Sequence, residues 1–174
     1  MPQPRCSVVI PVHNKAALTR QCLDSILDNQ PEVPFEIVVV DDASTDFTQA
    51  LLLDYGKAVR VVRLDKNAGF ATACNAGSAT GNSDYLLFLN NDTIVQPGWL
   101  DTLVAYADEH PEAKIVGSKL LFPDGTIQHA GVAFDLSGDP LHIYAGFPAD
   151  HPAVNKSRRF QAVTAACLLI DRDA

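Results

Sequence analysis

A chain of 174 residues, 47% hydrophobic and 20% charged, has the composition of an ordinary soluble globular protein and the length of one domain. Its net charge of −8 argues against nucleic acid as a partner, because no basic stripe is present to displace phosphate counterions. A small anionic ligand stays open, but an acidic protein needs a local positive centre to hold one, and a metal ion is the natural candidate.

Strands and helices alternate from the start. Ser7-Val-Val-Ile-Pro11 is a short continuous apolar run, as expected of a strand covered on both faces. Asn14 is placed to cap a helix through about residue 29, in which Leu18, Cys22 and Ile26 recur every fourth residue and Leu23 and Leu27 widen the stripe. Pro31 and Pro34 end it. Phe35–Asp41, rich in β-branched residues, reads as a second strand, and Ser44-Thr-Asp46 offers caps for a helix near 47–55. Val59–Leu64 alternates as a less covered third strand. The small, Ala-rich stretch 69–80 reads as a helix, Tyr85–Leu89 as a fourth strand, and Pro97-Gly-Trp-Leu100 as the start of a helix to about Glu109. This order predicts an α/β fold, a mostly parallel sheet sandwiched by helices with right-handed crossovers.

After residue 111 the pattern changes. Ile115–Phe122 and Ile127–Phe134 read as strands around the turn Pro123-Asp-Gly125, residues 135–158 as a long functional loop, and Phe160–Ile170 as a returning strand. The chain stops at Ala174 without a terminating element and is expected to be cut from a longer domain. Cys6, Cys22, Cys74 and Cys167 show no zinc spacing and read as reduced, buried residues. Neither a leader pattern at the N-terminus nor an apolar stretch of about 18–20 residues is present, so a cytoplasmic location is expected. The acceptor patterns for glycosylation at Asn91 and Asn155 mean little without a secretion signal.

The chemistry gathers at strand ends. Pro11-Val-His-Asn14 follows the first strand, Asp41-Asp42-Ala-Ser44 the second, Asn67-Ala-Gly69 the third (with Asn75 further along), and Asn90-Asn-Asp92 the fourth. In a parallel α/β sheet these ends share one edge, where ligands bind, so the clusters should converge. A carboxylate there can hold a divalent cation, and the cation a diphosphate. Asn-Asn-Asp delivered by the apolar run 85–89 points to a nucleotide-sugar site. Plainer readings exist: Asp42, Ser44 and Asn14 as helix caps, Asn67 and Gly69 as a turn, Asp92 as a solvated turn residue. His129, beside Gly131, reads as a local hydrogen-bonding residue rather than a zinc ligand, and Cys167 has no nearby base to make it a nucleophile. The absence of G-x-G-x-x-G after the first strand and of G-x-x-x-x-G-K-[ST] demotes dinucleotide oxidoreductases and P-loop NTPases.

At these clusters the sequence closely resembles the family 2 glycosyltransferases, inverting enzymes of the GT-A fold. The matching residues are Ser7–Asn14, Glu36–Asp46, Asn67-Ala-Gly-Phe-Ala71 with Asn75, and Leu89–Thr93. Gly117-Ser-Lys-Leu120 and Gln128-His-Ala-Gly131 look like its rhamnosyltransferase-like branch. The resemblance implies a single GT-A domain over 1–174, with 1–110 the nucleotide-binding half and 111–174 the start of the acceptor-side half. Pro11 and Asp41 would line the base pocket with Val12, Asn14 and Asp42 near them. Asn67 and Gly69 would approach base and ribose, Asn75 and Asn91 would complete the donor site, and Asp92 would bind Mg²⁺ or Mn²⁺. His13 stands where the family commonly has Tyr, and Asn90 where it has the first Asp of D-x-D, which leaves one protein carboxylate for the metal. The implied reaction is an in-line displacement on a UDP-, GDP- or dTDP-linked sugar by a hydroxyl of an acceptor glycan or lipid-linked saccharide, in cell-surface polysaccharide synthesis. The full-length protein would then be cytoplasmic or peripheral at the inner face of the membrane. In the family the base carboxylate lies in an acidic segment that would follow Ala174, so transfer by this chain is expected to be weak or absent, general-base loss costing about 10²–10⁴-fold. Two alternatives stay open. A sugar-1-phosphate nucleotidyltransferase would want a Gly-rich basic loop that Pro11–Asn14 does not supply; the other is a non-catalytic nucleotide-sugar-binding domain.

Overall fold

Four strand–helix units open the computed structural model: β1 (Cys6–Val12), α1 (Ala16–Asp28), β2 (Phe35–Asp41), α2 (Thr48–Asp54), β3 (Arg60–Arg63), α3 (Phe70–Ser78), β4 (Tyr85–Leu89) and α4 (Trp99–Glu109). The structure describes residues 3–174; Met1 and Pro2, part of the stretch searched for a leader, lie outside the described residues. Every residue of β1 is buried, as its unbroken apolar run predicts. β1 pairs in parallel with β2 on one side and β4 on the other, and β2 pairs in parallel with β3. The resulting order, β3-β2-β1-β4, reverses direction between β1 and β4. Right-handed crossovers therefore put α1 and α2 on one face and α3 on the other. The side-chain alternation agrees: Val9, Val38 and Val40 point together and pack with Ala73 of α3. Gly77 lets α3 approach that closely, because a Cβ there would collide with Val9 and lie 2.9 Å from Val40 Cγ2.

The later strands are β5 (Ile115–Gly117), β6 (Leu120–Leu121), β7 (Ile127–His129), β8 (Val132–Phe134), β9 (Pro140–His142) and β10 (Cys167–Asp171). β10 and β5 extend the sheet beyond β4. The bonds from Asp171 N to Lys114 O and from Ser118 N to Cys167 O run in opposite order along the two strands, so β5 and β10 are antiparallel. The mostly parallel sheet thus ends in an antiparallel edge. Two compact units result, residues up to Val116 with Leu169–Ala174, and Gly117–Leu168. The second unit is built on the antiparallel pairs β6–β7 and β8–β9 around buried Ile127, His129, Val132 and Val154.

Three expectations fail locally. The strand expected over Ile115–Phe122 breaks at Ser118-Lys119, and the one over Ile127–Phe134 breaks at Gly131, whose φ of 118° only glycine adopts readily. The strand expected from Phe160 begins only at Cys167. Phe160 and Val163 instead lie on glycines, where a Cβ on Gly131 would come within 2.6 Å of the Phe160 ring and one on Gly117 within 2.7 Å of Val163 Cβ. Residues 160–166 are held by this packing and by scattered bonds, from Val132 N to Ala162 O at 3.0 Å and from Thr164 N to His129 Nε2 at 3.4 Å among them, not by a ladder. The long loop 135–158 contains β9. Among the described residues, no helix is long and apolar enough to cross a membrane.

Candidate functional site

The parallel register carries the strand ends to one edge. Val12 is level with Asp41 and Asp41 with Arg63, while β4 runs beside β1 in the same direction. The crevice beyond these ends, where strand order reverses between β1 and β4, is where open α/β sheets hold ligands.

Asn14 and Lys15 both adopt the left-handed conformation (φ 60° and 61°), and this turn starts α1. Asn14 does not cap its own helix, contrary to the sequence reading. Its N–H donates to Ser44 Oγ at 2.8 Å, and its Oδ1 accepts from Thr45 N at 2.8 Å and Asp46 N at 3.2 Å. Asp46 returns the bond: Oδ2 accepts from Ala16 N at 3.1 Å, at the start of α1, while Oδ1 accepts from Thr48 N at 3.0 Å and Thr48 Oγ1 at 2.6 Å, at the start of α2. One carboxylate serves both helix N-termini, and the Thr48 hydroxyl, with those backbone donors, holds its pKa below the ordinary carboxylate range. His13 lies 2.6 Å by Nδ1 from the Asp42 carbonyl, which can only accept, so Nδ1 carries the proton and Nε2 accepts from Asn14 Nδ2 at 3.2 Å.

Asp41 and Asp42 are both buried, and protein donors engage both. Asp41 Oδ1 accepts from Ser44 N at 2.8 Å, and Oδ2 pairs with the half-exposed Arg63 guanidinium, which also donates to Ser44 O at 3.1 Å. Asp42 takes Ala68 N on Oδ1 at 2.7 Å and Gly69 N on Oδ2 at 2.9 Å. It therefore pins the Asn67–Gly69 turn to the end of β2. Gly69, at φ 84° and ψ 168°, occupies a region that is essentially glycine's alone, and its carbonyl accepts from Ala73 N in the first turn of α3.

At the end of β4, the Asn90 carbonyl accepts from Thr93 N at 3.2 Å and from Cys22 Sγ at 3.6 Å. Asn91 Nδ2 donates to Oγ1 of the fully buried Thr19 at 2.9 Å, which ties the turn to α1. Asp92 is exposed, and among the described residues no hydrogen bond or ion pair occupies its carboxylate. Asp41, Asp42 and Asp46 are engaged, whereas the Asp92 carboxylate, at the end of β4, is open to a ligand. No group of three His, Cys, Asp or Glu side chains forms a ready metal cage among the described residues. An exposed, unengaged carboxylate fits Mg²⁺ or Mn²⁺ held by one protein oxygen, since such ions keep several waters and take further ligands from a phosphate.

Hydrogen bonds thus join Asn14, Asp41, Asp42 and Gly69 into one network, with buried Pro11 and Val12 in the strand beneath and Asn67 Oδ1 3.2 Å from Gly69 N. Asn75 is exposed on α3 and takes no part in that network. Sequence reasoning missed Arg63 and Thr19. A basic residue closing β3 in register with Asp41 was a signal for the first; a threonine on the buried side of α1 carried none for the second.

In the second unit, His129 Nδ1 lies 2.9 Å from His142 Nδ1, and Thr164 N donates to His129 Nε2 at 3.4 Å. His129 therefore carries its proton on Nδ1 and donates it to His142. Burial first, and the neighbouring imidazole second, push its pKa down to about 4.

Residues 7–131 match the profile of the family described as Glycosyl transferase family 2. The O-antigen biosynthesis protein RfbC of Myxococcus xanthus is 34% identical over 98% of this chain and 14% of its own length. The putative teichuronic acid biosynthesis glycosyltransferase TuaG of Bacillus subtilis is 31% identical over 71% of this chain and 50% of its own. Among solved structures, the mannosyltransferase PcManGT from Pyrobaculum calidifontis, in complex with GDP-Man and Mn²⁺, is 25% identical with a TM-score of 0.62 over 70% of this chain and 37% of that one. S. aureus TarS 1-349 in complex with UDP-GlcNAc is 28% identical with a TM-score of 0.59 over 67% of this chain and 34% of that one. The chain spans 14% and 20% of the first two curated relatives it matches.

Proposed function

Because the chain belongs to glycosyltransferase family 2 and shares the GT-A arrangement of its structural neighbours, we propose that it carries the donor site of an inverting glycosyltransferase. The donor is a sugar linked to UDP, GDP or dTDP, and the cofactor is Mg²⁺ or Mn²⁺. The observation that carries this reading is the unengaged Asp92 carboxylate at the end of β4, beside Asn91 fixed on Thr19 and on the edge shared with Asp41 and Asp42. The neighbours crystallised with GDP-Man and Mn²⁺ and with UDP-GlcNAc support the ligand class.

In this reading Pro11 and Val12 wall the base pocket, and buried Asp41, braced by Arg63 and Ser44, lines it from beneath and fixes its shape. Asp42 acts through the turn it holds, bringing Asn67 and Gly69 against base and ribose, where glycine's missing side chain permits close approach. Asn75 and Asn91 offer amides along the donor, and Asp92 holds the cation. Bound there, the metal neutralises charge that builds on the leaving diphosphate. The acceptor hydroxyl attacks the anomeric carbon from the opposite face, which inverts it, and a carboxylate base takes its proton. Residues 1–110 are the nucleotide-binding half and 111–174 begin the acceptor side. RfbC and TuaG support an acceptor glycan or lipid-linked saccharide in cell-surface polysaccharide synthesis, at the cytoplasmic face of the membrane. Calorimetric titration with UDP, GDP and dTDP, with and without Mn²⁺, tests the proposal. Metal-dependent binding of at least one diphosphate is expected; metal-independent binding, or none, contradicts it.

A further inference from the structure

Gly117–Leu168 carries a surface that donor binding does not use. After β9 the chain turns at Tyr144, whose φ of 59° is one that bulky side chains rarely adopt. Three rings then follow in a row. Tyr144 and Phe147 meet edge to face at 5.4 Å, and Phe147 and His151 at 5.1 Å. Phe147 is 40% exposed. The backbone beneath them is tied down: Ile127 N donates to Phe147 O and Gly146 N to Ile127 O, both at 2.8 Å, and the Asn155 amide donates to Ala149 O at 2.9 Å and His151 O at 3.3 Å. A loop so fixed, strained at Tyr144, that still presents aromatic rings to water has the character of a binding surface.

Charge says what it binds. The net −8 of the chain falls wholly outside this unit, where Lys119, Lys156, Arg158 and Arg159 balance four aspartates. Three of those cations sit at 156–159, and no acidic residue separates Asp150 from Asp171. Arg158 stands over the Tyr144 ring at 5.7 Å and donates to Tyr144 Oη and to Ala153 O, both at 2.9 Å. Among the described residues neither Arg158 nor Lys156 has a carboxylate partner.

The geometry points to a binding surface for an anionic saccharide. Tyr144, Phe147 and His151 pack against the apolar C–H faces of pyranose rings, and Arg158 and Lys156 meet carboxylates or phosphates carried on the sugars. A planar guanidinium suits such oxyanions, and its position over Tyr144 keeps it in place beside the rings. A few cations on an otherwise acidic chain match a short charged glycan better than an extended anionic bilayer. That this glycan is the acceptor rests on the transferase reading; the binding does not.

Isothermal titration at low salt with hexagalacturonate, with neutral maltohexaose as control, tests the surface, and sedimentation with phosphatidylglycerol vesicles tests the lipid alternative. Saturable binding of hexagalacturonate is expected, with maltohexaose weaker and no co-sedimentation. Arg158→Gln and Phe147→Ala should each weaken hexagalacturonate binding about fivefold or more, the scale of one aromatic or cation–π contact. Arg158→Gln leaves the apolar packing intact, so it decides the matter should Phe147→Ala unfold the loop. No saturable binding, affinity unchanged in Arg158→Gln, or preference for vesicles overturns the proposal. A parallel titration of UDP, GDP and dTDP with Mn²⁺ separates the two readings. Binding of any of the three without hexagalacturonate binding refutes this surface and leaves the donor site standing; hexagalacturonate binding with none of the three bound refutes the donor site and leaves this surface as a saccharide-binding one.

Discussion

Asp42 carries a sharp test of how the rim is assembled. It is 4% exposed, and its two oxygens each take one backbone donor, Ala68 N at 2.7 Å and Gly69 N at 2.9 Å. A hydrogen bond to an ionised acceptor is worth roughly 1.5–3 kcal/mol. Ala68 is exposed, so water refills part of the loss, and Asp42→Ala should cost about 2–4 kcal/mol in total. Asparagine is the more telling change. Its amide oxygen keeps one bond but its –NH₂ faces the other N–H, so Asp42→Asn should fall within about 1 kcal/mol of the alanine variant rather than near the parent. Urea unfolding followed by the single tryptophan, Trp99, reads both values. Hydrogen exchange at Ala68 and Gly69 should quicken in step, because the turn is then free to leave the conformation α3 grows from. Alanine and parent agreeing within about 0.5 kcal/mol, with unchanged exchange at those two amides, would refute the assignment of Asp42 as the residue that positions the Asn67–Gly69 turn.

Other consequences are independent of that turn. Gly77→Ala should lower the melting temperature, since overpacking against the fully buried Val9 and Val40 costs about 1–3 kcal/mol against the about 1 kcal/mol that alanine gains in a helix; a rise on scanning calorimetry would show that α3 has room. Asp46→Ala removes the side-chain acceptor from the starts of both α1 and α2 and should cost about 1–3 kcal/mol, with Asp46→Asn intermediate; a loss no greater than one cap's would mean that the two helices are not coupled through it. His129 has a folded pKa of about 4 against an ordinary 6.5, so as pH falls between those values the unfolded chain takes up a proton that the folded chain refuses. Stability is then complete above about 6.5 and falls by roughly 1–3 kcal/mol towards pH 4. The difference in urea midpoint between parent and His129→Asn should shrink over that interval, and a constant difference would contradict a His129 that folding buries in its neutral form.

The alternation of elements was legible from one-dimensional pattern, because unbroken β-branched runs such as Phe35–Asp41 and the fourfold spacing of Leu18, Cys22 and Ile26 encode burial directly. The convergence of strand ends was legible too, since parallel pairing follows from that alternation. Which partner each polar residue takes was not. Asn14 read as a cap for the helix that follows it, yet with φ at 60° its side chain reaches across to residues 45 and 46, some thirty positions away, through the β1–β2 register. Asp42 read as a ligand residue or a local cap, and its partners Ala68 and Gly69 lie beyond another strand. Past residue 115 the apolar runs overstate strand length, because Phe160 and Val163 satisfy their hydrophobicity on glycine-lined backbone rather than in a ladder. That contact depends on side chains missing elsewhere, which no periodicity records.

The donor proposal is tested most directly by comparing Asp92→Ala with the parent in titrations of UDP, GDP and dTDP over a range of Mn²⁺. Asp92 is exposed and unengaged, so the variant should unfold within about 0.5 kcal/mol of the parent. The parent should gain affinity with Mn²⁺ by on the order of tenfold or more, about 1.4 kcal/mol, for at least one of the three. Asp92→Ala should show none of that gain, whereas Mn²⁺-dependent affinity that persists in a folded Asp92→Ala protein would contradict the account.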